Sequence, residues 1–435
     1  MIEQNVLPYK LELTNEKLTP HAGLVVAHEF HLGLGLGQLL DESVPGPGSN
    51  RGYHPSEVVL PLVLLLQGGG RDLEDIGVIA RDRALREAAH LWKMPAATTL
   101  GDWLRRAGES KRSMRGLARV SDRLARCRHE RDARTDYTLD ADTTIIEAQK
   151  QDATRAYEGT VGYQPMVGFL SGTRWLLHDE FRTGSASPQA GGVAFIEACR
   201  KRMPKGKRIA EVRSDSAFYN HEVTDYCNRE GIVYTIGADW DSAVTAAYDA
   251  VPAEAWTPLP VETGEPRREV AETVHTLNQG SHGFRLVFVR DIDTQGHLFA
   301  RTRRGRGIIT NAPAGQRDTA AVVAHYNRRG TMENHIKELK HGFGMSSMPC
   351  GQEPANAAWF RIGALAYNLF LLEQAFGLPP EMLTSTVGTV RWRVYQTAAR
   401  LVRHAGSLIL KVAADAATFA VLSDLRLAAR SMAFP

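Results

Sequence analysis

The sequence predicts an α/β core interrupted by a β-rich insertion, with one helical region before it and another after it. Three observations carry that expectation. The texture changes near residue 136 from helical apolar spacing to short β-branched runs, residues 239–318 hold prolines among β-prone segments, and apolar spacing of helical period returns beyond residue 319. The boundaries are therefore set at 1–135, 136–238, 239–318 and 319–435. A chain of 435 residues is long enough for two to four domains and a large apolar core.

In the first region, the apolar run 58–66 contains Pro61 and ends at Gly68, Gly69 and Gly70. It is too short to span a bilayer. Leu73, Ile76, Val78 and Ile79 suggest a short helix, and Thr98 or Thr99 is placed to N-cap the next, through Trp103, Leu104 and Arg105. The formal net charge is only +3, so basic residues act locally. Arg105, Arg106, Lys111, Arg112, Arg115, Arg119, Arg123, Arg126, Arg128, Arg131 and Arg134 crowd one segment, and Arg301, Arg303, Arg304 and Arg306 another. Such clusters suit a nucleic-acid backbone, although any one of them is equally a solvated face. Short helices leading into an Arg-rich helix fit a helix-turn-helix reader of DNA or an ordinary small bundle.

From residue 136 strands are expected at 137–144, 161–170 and 174–181. A Gly/Ser/Pro break at 184–192 precedes a helix carrying Val193, Phe195, Ile196 and Cys199. A strand at 209–216, a helix at 221–229 and a strand at 233–238 follow. Three strands, helix, strand, helix, strand is the order of a ribonuclease-H-like core. Its first strand ends near Asp142 and its fourth at Asp215. Residues 239–318 exceed what such a core still needs. Pro252, Pro258, Pro260 and Pro266, with strand candidates 284–291 and 298–303, mark a β-rich module, and 306–311 returns the chain to the core.

The densest signal lies at 326–340. Tyr326, Arg329, Glu333 and Lys340 recur at steps of three, four and seven, so on a helix they share one stripe with Lys337. Met332, Ile336, Leu339 and Phe343 form an apolar stripe beside it. Ordinary i,i+4 ion pairs would explain the charges at a few tenths of a kcal/mol each. Against that stand a single Glu among several cations and a mid-helix Gly330, which costs about 1 kcal/mol relative to Ala. A metal-binding acid beside a polyphosphate suits the pattern better.

Partner acids are present. Two-metal phosphoryl transfer needs carboxylates from separate elements to hold two divalent cations, and hard Mg²⁺ prefers oxygen ligands while keeping several waters. Asp142, Asp215 and Glu333 are the candidates, for catalysis and for two Mg²⁺ ions, with Mn²⁺ able to substitute. Crowded without a cation, such acids would raise one another's pKa values.

At this point the chain resembles the DDE transposases of bacterial insertion sequences that carry a Y-R-E-K signature. The segments 139–144, 213–218, 329–340 and 365–369 are similar to the insertion-sequence 1380 family within them. The resemblance covers nearly the whole chain and is weakest in the first fifty residues. It implies that Asp142, in its Asp-x-Thr context, is the first catalytic acid, with Asp140 as the runner-up. Asp215 would be the second acid and Glu333 the third. Tyr326, Arg329, Lys337 and Lys340 would contact DNA at the element end, and a β-insertion would help grip it, with Trp240, Trp256 and Arg301 to Arg306 as contacts unless they are core or surface residues. Gly330 departs from the bulky aromatic of the wider signature but fits the narrower family.

The expected function is Mg²⁺-dependent DNA cleavage and strand transfer at terminal inverted repeats, by a homodimer in the synaptic complex. The rivals are a ribonuclease-H-like nuclease or resolvase without strand transfer, and a decayed transposase that only binds DNA. The N-terminal region would then be DNA-binding. Residues 357–371 form a strongly apolar helix that completes the core or pairs two protomers, and 391–404 continues the helical C-terminal region. Cys127, Cys199, Cys227 and Cys350 show no metal or disulfide spacing. With no signal or membrane segment evident, a cytoplasmic, nucleoid-associated location is expected.

Overall fold

The computed structural model describes residues 2–3, 7, 9–49, 51–260, 267–292 and 303–432. Pro266, Arg301 and residues 298–302 of one strand candidate lie outside the described residues. The N-terminal region runs through α1 (Ala22–Gly33), α2 (Leu36–Ser43), α3 (Pro55–Gly68), α4 (Ile76–Arg81), α5 (Arg83–Ala88), α6 (Ala97–Glu109) and α7 (Lys111–His129). α3 begins with Pro55, where no intrahelical N–H is needed, and stops at Gly69 in the left-handed conformation, φ 102°. α6 begins at Ala97, so Thr98 and Thr99 lie inside its first turn and do not cap it.

The sheet strands are β1 (Asp136–Thr143), β2 (Met166–Leu170), β3 (Trp175–Glu180), β4 (Arg208–Ser214), β5 (Val233–Gly237), β6 (Thr257–Leu259), β7 (Arg268–His275), β8 (Phe284–Asp291) and β9 (Arg303–Thr310). Their spatial order is β6-β7-β8-β9-β5-β4-β1-β2-β3. β4 pairs parallel with both β1 and β5, whereas the other pairs are antiparallel. Parallel pairs need a crossover, supplied by α8 (Gly192–Arg202) before β4 and α9 (His221–Arg229) before β5. Residues 239–318 contribute α10 (Ser242–Asp249) and four strands that lengthen this same sheet beyond β5.

The strand expected at 161–170 is broken in two. Val161–Tyr163 joins a small separate sheet with Ile146–Glu147 and Thr154–Arg155, and β2 starts only after Pro165. Proline cannot donate to the ladder, and Gly162 lies so close to Ile146 that a Cβ would meet its carbonyl at 2.0 Å.

α11 (Thr319–Asn327) lies on the lengthened part of the sheet, where Val322 and Val323 join Val270, Val287, Val289 and Ile308 in an apolar cluster. α12 (Gly330–Lys337) follows. α13 (Glu353–Phe376) is buried along almost all its length against α3, α6, α7 and β3. A helix apolar all round belongs inside a core, and this burial within its own chain leaves it no face for a second copy. Its polar residues cover the β3 edge. Asn368 accepts from Leu176 N at 3.1 Å and donates to Leu176 O at 2.8 Å, while Arg361 pairs with Asp179 at 2.6 Å.

The C-terminal region differs from its helical expectation. β10 (Ala399–His404) and β11 (Ser407–Val412) form a hairpin turned by Ala405 and Gly406, and β10 also pairs with Leu18–Thr19. Ala399 and Leu401 are buried and Arg400 is exposed, a period of two that favours a strand. α14 (Ala416–Ser431) ends the fold. Among the described residues no helix is long and apolar enough to cross a membrane.

The α6–α13 crossing depends on Gly108, whose added Cβ would lie 1.7 Å from Pro354 O. Gly108→Ala is expected to destabilise the fold by about 1–3 kcal/mol or more, read as a lower thermal midpoint. An unchanged midpoint would mean that the two helices have room to separate.

Candidate active site

β1 and β4 run side by side with Arg213 opposite Asp140 and Ser214 opposite Ala141. Side chains alternate along a strand, so one face carries Asp140 and Asp142 together. Asp142 lies at the end of β1, where its Oδ1 accepts from Thr143 N at 2.8 Å. Asp215 follows β4 directly and caps the turn Ser216–Phe218, accepting from Ala217 N at 3.0 Å. Parallel pairing thus delivers two carboxylates to adjacent strand ends.

A single guanidinium joins them to the late helix. Arg329 Nη2 lies 2.6 Å from Asp142 and 3.4 Å from Asp215, and its Nη1 lies 3.6 Å from Glu333. Arg329 occupies the position of a cation shared by three acids. Glu333 is the outlying member, with a side chain 67% exposed. Among the described residues no three His, Cys, Asp or Glu side chains stand close enough together to hold a metal ion.

Burial pushes the Asp142 carboxyl up to about 7, helped by the negative charge of Asp215 and opposed by Arg329. Burial works against the charge of Arg329 too, yet the surrounding acids hold its pKa above the ordinary value. An oxygen-only pair of carboxylates, Asp142 buried and Asp215 partly exposed, sharing one guanidinium between them, is a donor set that fits a hard divalent cation.

The four spaced residues do not share one unbroken helix. Tyr326 lies in the last turn of α11, and Arg328 and Arg329 form a turn in which Arg329 N donates to Tyr326 O and Met332 N to Arg329 O, both at 2.8 Å. Gly330 therefore opens α12 and is not mid-helix, and a Cβ added there meets nothing within 4 Å. Both arginines keep right-handed helical angles, so the chain keeps its direction. Met332, Ile336, Leu339 and Phe343 are all buried, seating the segment on the core.

The sequence-selected basic and aromatic residues have distinct settings. Tyr326 approaches β5 so closely that a Cβ at position 237 would lie 2.5 Å from its hydroxyl, which is why Gly237 stands there. Lys340 sits in a π-helical turn, Glu338–Gly342, and donates to Ile145 O at 2.8 Å and to Thr144 Oγ1 at 3.4 Å. It thereby holds the loop after Asp142, and burial lowers its ammonium pKa. Lys337 is exposed.

Asp140 is taken by Arg213 through two hydrogen bonds, 2.6 and 2.8 Å, with both side chains 1% exposed. Nearby, burial works against the charge of Glu211, but bonds from His325 and Arg317 outweigh it and bring the carboxyl down to about 2. Sequence reasoning gave Arg213, Glu211, Arg317 and Gly237 no part in the site. The available signal was opposite charges two residues apart on one face of a strand, Glu211 and Arg213 in β4, beside the likewise charged Asp140 position of β1.

A family model described as transposase DDE domain group 1 matches residues 7–432. No curated protein matches the chain in sequence. Among solved structures, the cryo-EM structure of a piggyBac transposase synaptic complex with hairpin DNA is similar at a TM-score of 0.45 and 9% identity, with 94% of this chain and 80% of that chain covered. A likeness that low does not bear on the site.

The raised Asp142 pKa has a stability consequence. A carboxyl whose folded pKa lies above its unfolded value favours the fold fully below the unfolded value of 3.8, and that contribution is lost as pH rises through about 7. Asp142→Asn is therefore expected to be near neutral for stability at pH 4 and stabilising at pH 8, checked by thermal unfolding across pH. A loss of stability at pH 8 would show that the Arg329 ion pair outweighs burial.

Proposed function

The chain belongs to the transposase DDE domain group 1 family and is a DDE transposase, and from that membership we propose that it cuts and joins DNA at the ends of an insertion sequence, with Asp142, Asp215 and Glu333 as the catalytic acids. The observation that carries the reading is the meeting of Asp142 and Asp215 at adjacent strand ends, with Arg329 spanning the distance to Glu333. The spatial order β3-β2-β1-β4-β5, antiparallel then parallel, supports a ribonuclease-H-like core. The site falls at the carboxyl ends of its central strands. The Tyr326, Arg329, Glu333 and Lys340 spacing and the segments around each acid support placement in the insertion-sequence 1380 family.

Asp142, Asp215 and Glu333 would hold two Mg²⁺ ions, or Mn²⁺ in their place. Bound there, divalent cations activate a water or 3′-hydroxyl and neutralise charge gathering on the phosphodiester. Arg329 is the residue positioned to offset that charge from the protein side, through directed N–H donors. Lys340 keeps the loop after Asp142 in place through Ile145 O and Thr144 Oγ1. Asp140, neutralised by Arg213, is left out of ion binding. Double-stranded DNA is the partner, through the Arg-rich α7 and the face carrying Arg329 and Lys337. Two ends handled together call for a homodimer, and a cytoplasmic, nucleoid-associated location follows from that substrate.

Asp215→Ala should abolish Mg²⁺-dependent cleavage while leaving end binding intact; equal behaviour with and without the carboxylate would identify a DNA-binding protein that has lost catalysis. Joining of a pre-cleaved end to target DNA is expected under the same conditions, and cleavage without joining would favour a nuclease or resolvase. Lys340→Ala is expected to weaken end binding and flatten its salt dependence by about one phosphate contact. An unchanged slope would confine Lys340 to holding its loop.

A further inference from the structure

We propose that Arg213 is a positioning residue for the reaction: its buried guanidinium joins the elements that carry the three acids and thereby sets where those acids stand. The inference rests on the transposase reading above.

The geometry is specific. Arg213 Nε and Nη2 donate to the two oxygens of Asp140, at 2.6 and 2.8 Å, and Nη2 also reaches Ser171 Oγ at 3.1 Å. Nη1 donates to His325 O at 2.7 Å. Asp140 lies two residues before Asp142 on β1, and Arg213 lies two residues before Asp215 on β4. His325 lies four residues before Arg329, near the end of α11, where helix carbonyls lack intrahelical partners. One planar group borne by β4 therefore contacts β1, the residue after β2 and the segment leading to Glu333. A guanidinium directs its donors rigidly, so the directions of these contacts are fixed relative to one another.

The same contact sorts the two acids of β1. Asp140 and Asp142 share a strand face, and an ionised, unpartnered Asp140 would add negative charge beside the ion-binding pair and compete for the cation. Arg213 removes it from that competition, while Arg329 faces Asp142. Backbone pairing already holds β1 to β4, and a buried ion pair is often no more stable than apolar residues of similar volume. The arrangement is better explained by positioning than by stability.

Two variants test this. Arg213→Lys keeps the positive charge near Asp140 but cannot reach all three partners. The double variant Asp140→Leu with Arg213→Met removes the ion pair and leaves an apolar pair in its place, protecting the fold. Thermal unfolding establishes that each folds, and Mn²⁺ binding to the DNA-free protein is titrated by water-proton relaxation. Hydrogen exchange is followed across residues 325–333, and kcat and KM are measured for cleavage of an end duplex. Both variants are expected to lose about 10- to 100-fold in Mn²⁺ affinity and in kcat, with KM for DNA nearly unchanged and faster exchange at 325–333. Parent-like Mn²⁺ affinity, kcat and exchange in the folded double variant would overturn the inference and leave Arg213 a structural ion pair. A parent protein that neither binds Mn²⁺ nor cleaves would overturn the transposase reading itself, a result distinguishable from failure of the variants alone to differ.

Discussion

Two carboxylates brought together at a site where one of them is buried repel each other unless positive charge lies between them, and the architecture around Asp142 and Asp215 follows from that constraint. Parallel pairing of β1 and β4 brings the acids together. Burial raises the cost of ionising Asp142, and Arg329 is the protein's own compensation. Because Arg329 lies in the turn that opens the Glu333 helix, the cation that relieves the two aspartates also reaches Glu333, which stays outlying and exposed.

Holding that guanidinium in place requires support on both sides. Strands β6 to β9 lengthen the sheet and supply the valines and Ile308 that seat α11, so the residues 239–318 determine where Tyr326 and Arg329 sit. On the other side Met332, Ile336, Leu339 and Phe343 anchor α12 and the π-turn in the main core, which directs Lys340 to the loop after Asp142. α13 fills the centre and closes the β3 edge through Asn368 and Arg361. The result is a site whose residues stand at strand ends and in tight turns anchored by packed strands and helices, supports that position groups better than free loops do.

Much of this was readable from local pattern. The strand and helix order of residues 136–238 is written in β-branched runs, a Gly/Ser/Pro break and a helix of apolar spacing, and Asp142 and Asp215 stand where those strands end. The apolar stripe at 332–343 announced which side of the Glu333 segment is buried. Local pattern misled where its signal was short or shared. The alternation at 399–404 is strand-like, but its mixture of Arg with Val and Leu resembles a helical face. Pro165 and Gly162 divide a run that otherwise looks continuous. That 306–311 returns the chain to the core was readable, but its pairing with β5 was not, because strand partners distant in sequence leave no mark on either strand alone.

The sequence by itself determined which residues are able to do chemistry and the order in which short elements bear them, because side-chain type and spacing along a helix or strand are local properties. Only the tertiary structure decided how those residues divide the work. It assigned Asp140 to Arg213 and Asp142 to Arg329, turned Lys340 onto Ile145 O, and broke the 326–340 segment at Arg328 and Arg329. Two acids on one strand face point the same way, and a local Asp-x-Thr context only ranks them; burial and the nearest arginine make them different, and both depend on chain segments far away along the polypeptide.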